Sequence, residues 1–255
     1  MTTHYSKYPL TRRIAASGLC AAFALLGAVA AGAQTGPEAC GNPLVNHYGP
    51  YDYRSTTPQQ RAIVENVHFT PGIESMTKPG TTTIQDMAGD VAYTLGVYPN
   101  HHRALLTMVR LSQRWKRDPP PGTNRTVECW FDRALRFRPN DTVARAFYAQ
   151  FLHQSKRSSD AVAQLDIAVG QAEDNPLSHY NLGLVYAEMG QLDKALQQAH
   201  RARDLGMTRP GLELALKKAG RWAEPEATPT FPANAASAAS AANVASPASA
   251  ASAAP

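Results

Sequence analysis

The sequence predicts an all-α fold in which helix hairpins stack one after another behind an irregular N-terminal arm. The first observation is a period of 34 residues, which relates segment 142–175 to segment 176–209. The second is that small residues recur at matched positions of the two segments, where they let two helices approach closely. A unit of this length cannot bury its apolar face alone, so neighbouring units must stack to form a continuous core.

Residues 1–33 have the composition of a secretory signal peptide. A positively charged start is followed by an uncharged stretch of small and apolar residues over 14–31. Ala31-Gly32-Ala33 then places small residues where signal peptidase cuts. We expect cleavage near Ala33, export to the periplasm, and no stable membrane span in the mature chain.

Residues 34–82 are predicted to form the irregular arm, because they are rich in aromatic, polar and turn-forming residues and do not follow the repeat. Thr57 and Pro58 start a short helix there, as N-cap and first helical residue. An aromatic cluster is a candidate surface patch, since exposed aromatic groups often mark binding sites. The cluster consists of His47, Tyr48, Tyr51 and Tyr53. The alternative is that these side chains cover the core of the repeats.

Two helices are predicted between the arm and the clear repeats. The first spans 84–97, and the second spans 101–115 with Asn100 as its expected N-cap. A proline-rich insertion over 116–125 then displaces the second helix from its partner.

The two clear repeats carry a recognisable pattern. The second has Leu182, Gly183 and Tyr186 in its first helix, Gly190 at the turn, and Ala195 and Ala202 in its second helix. The first has Tyr148, Ala149, Leu152, Ala161 and Ala168 at the corresponding positions. This pattern resembles the tetratricopeptide repeat (TPR), closely over 142–209 and loosely over 83–222. The resemblance implies a right-handed superhelix of TPR-like hairpins, of the exported bacterial type; another helix-hairpin solenoid or an irregular bundle is the alternative.

The resemblance also implies where a ligand binds, because the first helices of TPR hairpins line a concave surface. The predicted groove residues of the first repeat are Ala146, Phe147, Gln150, His153 and Gln154. Those of the second are Tyr180, Asn181, Leu184 and Glu188. Aromatic and amide side chains suit an extended or helical peptide, although Phe147 and Tyr180 have packing as an alternative role. A clamp for a terminal carboxylate is not predicted, because the first repeat has no Lys or Arg among these positions.

Beyond the repeats, 210–222 is predicted as a capping helix with one apolar face. Residues 223–255 are dominated by Ala, Ser and Pro and carry no charge after Glu226. Such a segment cannot bury enough apolar area to offset its ordering entropy, so we predict a disordered tail.

Charge excludes nucleic acid as a partner. The chain has a net charge of +5, but removing residues 1–33 takes away three of its 25 basic residues and none of its 20 acidic ones. The remainder has a net charge of only +2, and no run of Lys and Arg marks a nucleic-acid face.

Two cysteines, Cys40 and Cys129, remain after the signal peptide is removed. In an oxidising periplasm two cysteines usually form one disulfide, so we predict a bridge that ties the arm to a core helix. Two free, buried thiols are the alternative.

Four histidines of the N-terminal half, with Asp52 and Glu74 nearby, raise the alternative of a metal-binding protein or an enzyme. They are His47, His68, His101 and His102. Adjacent histidines on a helix diverge by about 100° and rarely bind one ion together. The chain also lacks a Gly-x-Ser-x-Gly elbow, a phosphate-binding glycine loop and an HExxH motif. We therefore predict no metal site, no cofactor and no catalytic residue.

The leading hypothesis is a periplasmic adaptor or assembly factor that binds another protein or peptide of the cell envelope. It depends on export, repeats, a groove and the absence of catalytic motifs. A structural envelope scaffold, with the tail as a spacer, is a further alternative.

Overall fold

A computed structural model describes residues 40–77 and 83–224. Within these two ranges the chain forms ten α-helices and no β-strand. They are α1 (Pro58–His68), α2 (Pro71–Glu74), α3 (Ile84–Val97), α4 (His102–Trp115), α5 (Val127–Phe137), α6 (Thr142–Gln154), α7 (Ser158–Gly170), α8 (Pro176–Glu188), α9 (Leu192–Asp204) and α10 (Gly211–Lys218). None of these described helices combines the length and apolar character that a membrane crossing requires. The predicted signal peptide and nearly all of the predicted tail lie outside the described residues.

Helices α6 and α7 form one hairpin, and α8 and α9 form the next. The alanines that define the 34-residue pattern are fully buried between the helices of each hairpin, as the packing argument requires. They are Ala149, Ala161 and Ala168 in the first hairpin and Ala195 and Ala202 in the second. The first helices pack in series, because α4 contacts α6, α6 contacts α8, and α8 contacts α10. The handedness of the superhelix stays a prediction.

Both hairpins turn through the same backbone conformation. Lys156 (φ 66°) and Gly190 (φ 74°) occupy the left-handed region 34 residues apart. In each turn the following residue donates a backbone hydrogen bond back into the first helix: Arg157 to Leu152 at 2.9 Å, and Gln191 to Tyr186 at 2.8 Å. Glycine adopts this conformation without strain, whereas the lysine carries a Cβ that the conformation disfavours.

The last helix, α10, closes the stack and packs against both α8 and α9. Its Leu212 and Leu216 are buried, as the predicted capping helix requires, but the helix ends at Lys218 and not at Trp222, because Gly220 (φ 69°) turns the chain. A Cβ added to Gly183 of α8 would lie 2.4 Å from Cδ2 of Leu212. Glycine at this position of the repeat therefore lets α10 lie directly on α8.

The arm contains two helices, α1 and α2, and is less irregular than the sequence predicts. As expected, Thr57 caps α1 and Pro58 begins it; Gln60 completes a capping box with Thr57. The predicted disulfide is confirmed: Cys40 is bonded to Cys129 on α5, with their Cα atoms 5.0 Å apart.

The predicted N-cap of α4 is wrong by one residue. His101, not Asn100, caps the helix, because its Nδ1 accepts a hydrogen bond from the backbone N–H of Ala104 at 3.1 Å. The Asn100 side chain makes tertiary bonds instead. It accepts from the backbone N–H of Tyr53 and donates to the carboxylates of Asp52 and Asp141.

Candidate functional site

A mainly apolar cavity of about 340 Å³ lies between α6 and α8. We call it the α6–α8 groove. Helix α6 lines it with Thr142, Val143, Ala146, Phe147 and Gln150, and α8 lines it with Ser178, Asn181, Leu182, Leu184 and Val185. Its size falls within the range of pockets that hold ligand side chains.

The groove follows directly from the repeat. The N-caps of α6 and α8, Asp141 and Asn175, are 34 residues apart, and both cap through a side-chain oxygen. Residues at equal distance from the two caps therefore lie on the same face of parallel first helices. Phe147 and Asn181 form one such pair, and Gln150 and Leu184 form another.

Amide side chains bridge neighbouring first helices along this face. Nε2 of Gln150 donates to Oε2 of Glu188 on α8 at 2.8 Å. Nε2 of Gln113 on α4 donates to Oε1 of Gln154 on α6 at 2.7 Å. The surface formed by the first helices is therefore continuous from α4 to α8.

Most of the predicted groove residues are brought together. Five of the nine line the cavity itself, namely Ala146, Phe147, Gln150, Asn181 and Leu184. Gln154 and Glu188 form the bridges at its rim, and His153 lies 3.0 Å from the Ser158 hydroxyl across the hairpin turn. Asn181 is exposed and has no partner among the described residues, so its amide is free to bond a ligand. Whether these residues bind a peptide stays a prediction.

Tyr180 was predicted to line the groove, but its side chain does not line it. Its ring is buried and lines a second cavity of about 280 Å³ with α9, α10 and Trp222. Gly211 lies so near that an added Cβ would be 2.5 Å from the Tyr180 hydroxyl oxygen. The matched position of the first repeat, Ala146, does line the groove; the difference arises because α10 packs against Tyr180.

Sequence reasoning missed the polar and branched residues that complete the groove. These are Thr142 and Val143 at the start of α6, and Ser178 and Val185 on α8. Counting one helical turn before and after the predicted positions would have found Val143 and Ser178, which lie on the same stripe.

The candidate aromatic patch of the arm mainly covers the turn between α3 and α4. Tyr53 packs on the ring of His101 with centroids 4.1 Å apart, and Tyr51 donates its backbone N–H to the carbonyl of Val97 at 2.8 Å. Tyr48 packs edge-on against Tyr51. Tyr51 and His47 are the exposed members of the group. Tyr53 therefore has the covering role that was the alternative to a surface patch. The backbone of Tyr51 shares that role, whereas Tyr51 as a whole stays exposed.

The buried Tyr98 anchors this cover. Its hydroxyl donates to the carbonyl of Gln60 on α1 at 3.0 Å. Burial raises the pKa of Tyr98 to about 12, with a smaller contribution from Tyr48, so its hydroxyl stays protonated and remains a donor. The bond fixes α1 against the α3–α4 turn.

A network of charged and amide groups joins the arm to the repeats. The carboxylate of Asp52 accepts from Arg54, Asn100 and Arg138. Burial alone would raise the pKa of Asp52, but these hydrogen bonds hold it well below its usual range. Asp141, the N-cap of α6, accepts from the same Asn100 at 2.8 Å. Asn100 therefore couples the arm to the first helix of the groove.

The four histidines considered for a metal site are not brought together. His68 lies 2.8 Å from Asp90, His101 lies 2.9 Å from Glu65, and His102 lies 2.9 Å from Asp141. His47 instead packs loosely against the ring of Tyr93. Over residues 40–77 and 83–224, no three His, Cys, Asp or Glu side chains are grouped as a metal site needs. Within the described residues, these four histidines therefore do not form one cluster.

Comparison with known proteins relates this chain to one TPR protein. No model of a known protein family matches the sequence. The chain is 28% identical over 175 residues to tetratricopeptide repeat protein 17 of Danio rerio. The alignment covers 62% of this chain but 13% of that protein, so the chain spans about one-eighth of its relative's length. Together with the all-helical fold and its two 34-residue hairpins, this likeness supports a TPR protein and hints at a role in protein–protein interaction.

Proposed function

We propose that the protein is a periplasmic adaptor, not an enzyme, that binds a peptide segment of a cell-envelope protein in the α6–α8 groove. The observation that carries the proposal is the mainly apolar groove between two first helices, with the free amide of Asn181 at its wall. An apolar cavity with a few polar groups holds one side chain of a ligand and fixes its orientation. The TPR likeness supports a protein as the partner.

Export is the second part of the proposal. The signal-peptide composition of residues 1–33 supports it. So does the Cys40–Cys129 disulfide, because such bonds persist in oxidising compartments. The test is cell fractionation with N-terminal sequencing: a mature chain beginning at Gln34 in the periplasmic fraction is expected. Intact protein recovered in the cytoplasm with both thiols free would refute export.

Binding is tested by cross-linking in intact cells that make the protein, followed by capture and mass spectrometry. The groove variant is Asn181→Ala with Leu184→Gln, which removes a free amide and an apolar wall. Leu214→Gln is the matched control, because Leu214 is 58% exposed on α10 and lies outside the groove.

A defined envelope protein cross-linked by wild type and by the control, but lost in the groove variant, is the expected result. A partner that persists in the groove variant would show that another surface binds it. The melting temperatures of the three proteins must agree within about 3 °C, so that a lost cross-link reports on the groove and not on unfolding, because Leu184 is partly buried against the core.

A further inference from the structure

Helix α4 extends the concave surface and gives it a positive side. Its N-cap, His101, is 40 residues before the N-cap of α6, so residues 40 apart lie on matching faces of the two helices. Arg110 corresponds to Gln150, and Arg114 corresponds to Gln154. The 34-residue period does not reach α4, because the insertion over 116–125 lengthens this unit. The sequence pattern therefore did not reveal these arginines.

Contacts between the helices support this alignment. The bridge from Gln113 to Gln154 joins the adjacent faces of α4 and α6. At the other end, the ring of His102 lies against Phe147 of the groove with centroids 6.3 Å apart. The exposed stripe of α4 that carries Arg110 and Arg114 is thus continuous with the groove wall.

The two arginines have no carboxylate partner among residues 40–77 and 83–224. Arg103, about two turns before Arg110 on the same stripe, is paired with Glu74. Arg110 acts on Glu74 only at longer range, and Arg114 lies over the ring of Trp115. Many other exposed arginines of the described chain are paired, as Arg157 is with Glu128 and Arg201 is with Asp174. Two guanidinium groups without a carboxylate partner, one helix away from the apolar cavity, therefore provide a site for acidic groups.

We propose that the concave face binds an extended segment in which an apolar side chain enters the α6–α8 groove while Asp or Glu side chains pair with Arg110 and Arg114. This inference rests on the proposed function and names the chemistry of its ligand. On the α8 side of the groove, away from the arginines, lies Glu188, which is bonded to Gln150. Charge therefore favours the orientation in which the acidic residues of the segment point toward α4.

The spacing between anchor and acidic residues can be worked out. Neighbouring packed helices are about 8–10 Å apart, so α4 is about 12–15 Å from the midline between α6 and α8. An extended chain advances about 3.3 Å per residue. The acidic residues therefore lie about four positions from the apolar anchor.

The test is selection of binders from a display library of random 12-residue segments, with the full chain purified in its oxidised form. Three proteins are compared: wild type, Arg110→Gln with Arg114→Gln, and Arg209→Gln with Lys218→Gln. The last pair is the control, because both of its cations are exposed, have no ion pair in the described chain, and lie at the α10 end. All four substitutions are at exposed positions and leave the core unchanged.

Wild type and control are expected to select one apolar residue with Asp or Glu enriched about four positions away. The Arg110→Gln, Arg114→Gln variant is expected to keep the apolar residue and lose the acidic enrichment. A peptide synthesised from the selected sequence should bind wild type about tenfold more tightly than its Glu→Gln analogue, and the difference should shrink at high salt.

The outcomes separate the two proposals. Selection of the apolar anchor without acidic residues, or acidic enrichment that persists in the arginine variant, overturns this inference and leaves the proposed function standing. If wild type selects no common sequence at all, the groove is not a peptide site and both proposals fail.

Discussion

Replacing both Cys40 and Cys129 by serine is expected to destabilise the protein strongly. The bridge closes a loop between residues 89 positions apart. In the chain-entropy description such a loop stabilises the folded state by about 4–5 kcal/mol, because the cross-link restricts the unfolded chain. Domains of this size have a total unfolding free energy of about 5–15 kcal/mol. The change thus removes about a quarter or more of the expected stability.

The native structure should survive the substitution, since other contacts hold the same loop. The guanidinium of Arg133 donates to the carbonyls of Cys40 and Asn42, and Arg136 donates to the carbonyl of Gly41 at 2.7 Å. Burial, together with the charges of Arg125 and Arg136, lowers the pKa of Arg133 to about 10, and it remains charged at neutral pH. The loss of stability is therefore expected to come from the greater conformational freedom of the unfolded chain and not from damage to the folded structure.

The assay is urea unfolding followed by far-ultraviolet circular dichroism. The double variant and reduced wild type should both lose about 4–5 kcal/mol, which corresponds to a fall in melting temperature on the order of 10–15 °C. The slope of the free energy against urea should rise, because the unfolded chain exposes more surface without the cross-link. A loss below about 1 kcal/mol with an unchanged slope would show that the bridge does not constrain the unfolded chain.

Three further predictions concern single residues. Lys156→Gly should raise the unfolding free energy by about 0.5–1 kcal/mol by relieving the left-handed backbone, whereas Lys156→Ala, which keeps a Cβ, should give no gain in the same urea titration. Gly183→Val should cost about 2–3 kcal/mol, because its side chain would overlap the buried Leu212; an unchanged melting temperature would mean that α10 does not pack there as described. Burial lowers the pKa of His101 below 6.5, so below about pH 6.5 the unfolded chain binds more protons at this site and stability falls as the pH is lowered. The drop in unfolding free energy between pH 7 and pH 5 should therefore be smaller in His101→Asn, which keeps a capping oxygen for Ala104 but does not titrate; equal drops would exclude His101 as the cause.

The hairpins could be predicted from the sequence because their packing is local. Small residues at fixed positions, such as Ala161 and Ala195, face the partner helix of the same hairpin, and their spacing repeats along the chain. The bounds of α3 were predicted correctly, since Thr83 ends the preceding polar stretch and Pro99 follows the helix. The disulfide was predictable because just two cysteines, Cys40 and Cys129, follow the predicted signal peptide.

Features that depend on distant contacts could not be predicted. Asparagine is a preferred N-cap residue. Because the side chain of Asn100 instead bonds to Asp52 and Asp141, His101 serves as the N-cap of α4. The orientation of Tyr180 depends on α10, whose position no local pattern specifies. Likewise, the alignment of α4 with the groove follows from helix caps and contacts and not from the repeat period.

The close contact of α10 with α8 gives the C-terminal end of the chain a mechanical connection to the groove. Leu212 lies against Gly183, and Gly211 lies against Tyr180, on the same helix that places Asn181 in the α6–α8 groove. In the N-terminal arm, the Cys40–Cys129 disulfide attaches the chain covalently to α5. Near the C-terminal end of the described residues, Trp222 is held by non-covalent contacts with Arg203 and His200. A pulling force on residues beyond 224 would therefore detach α10 first and reach the α8 wall next. Detachment of α10 would thus alter the α8 wall of the groove before it affects the arm and α4.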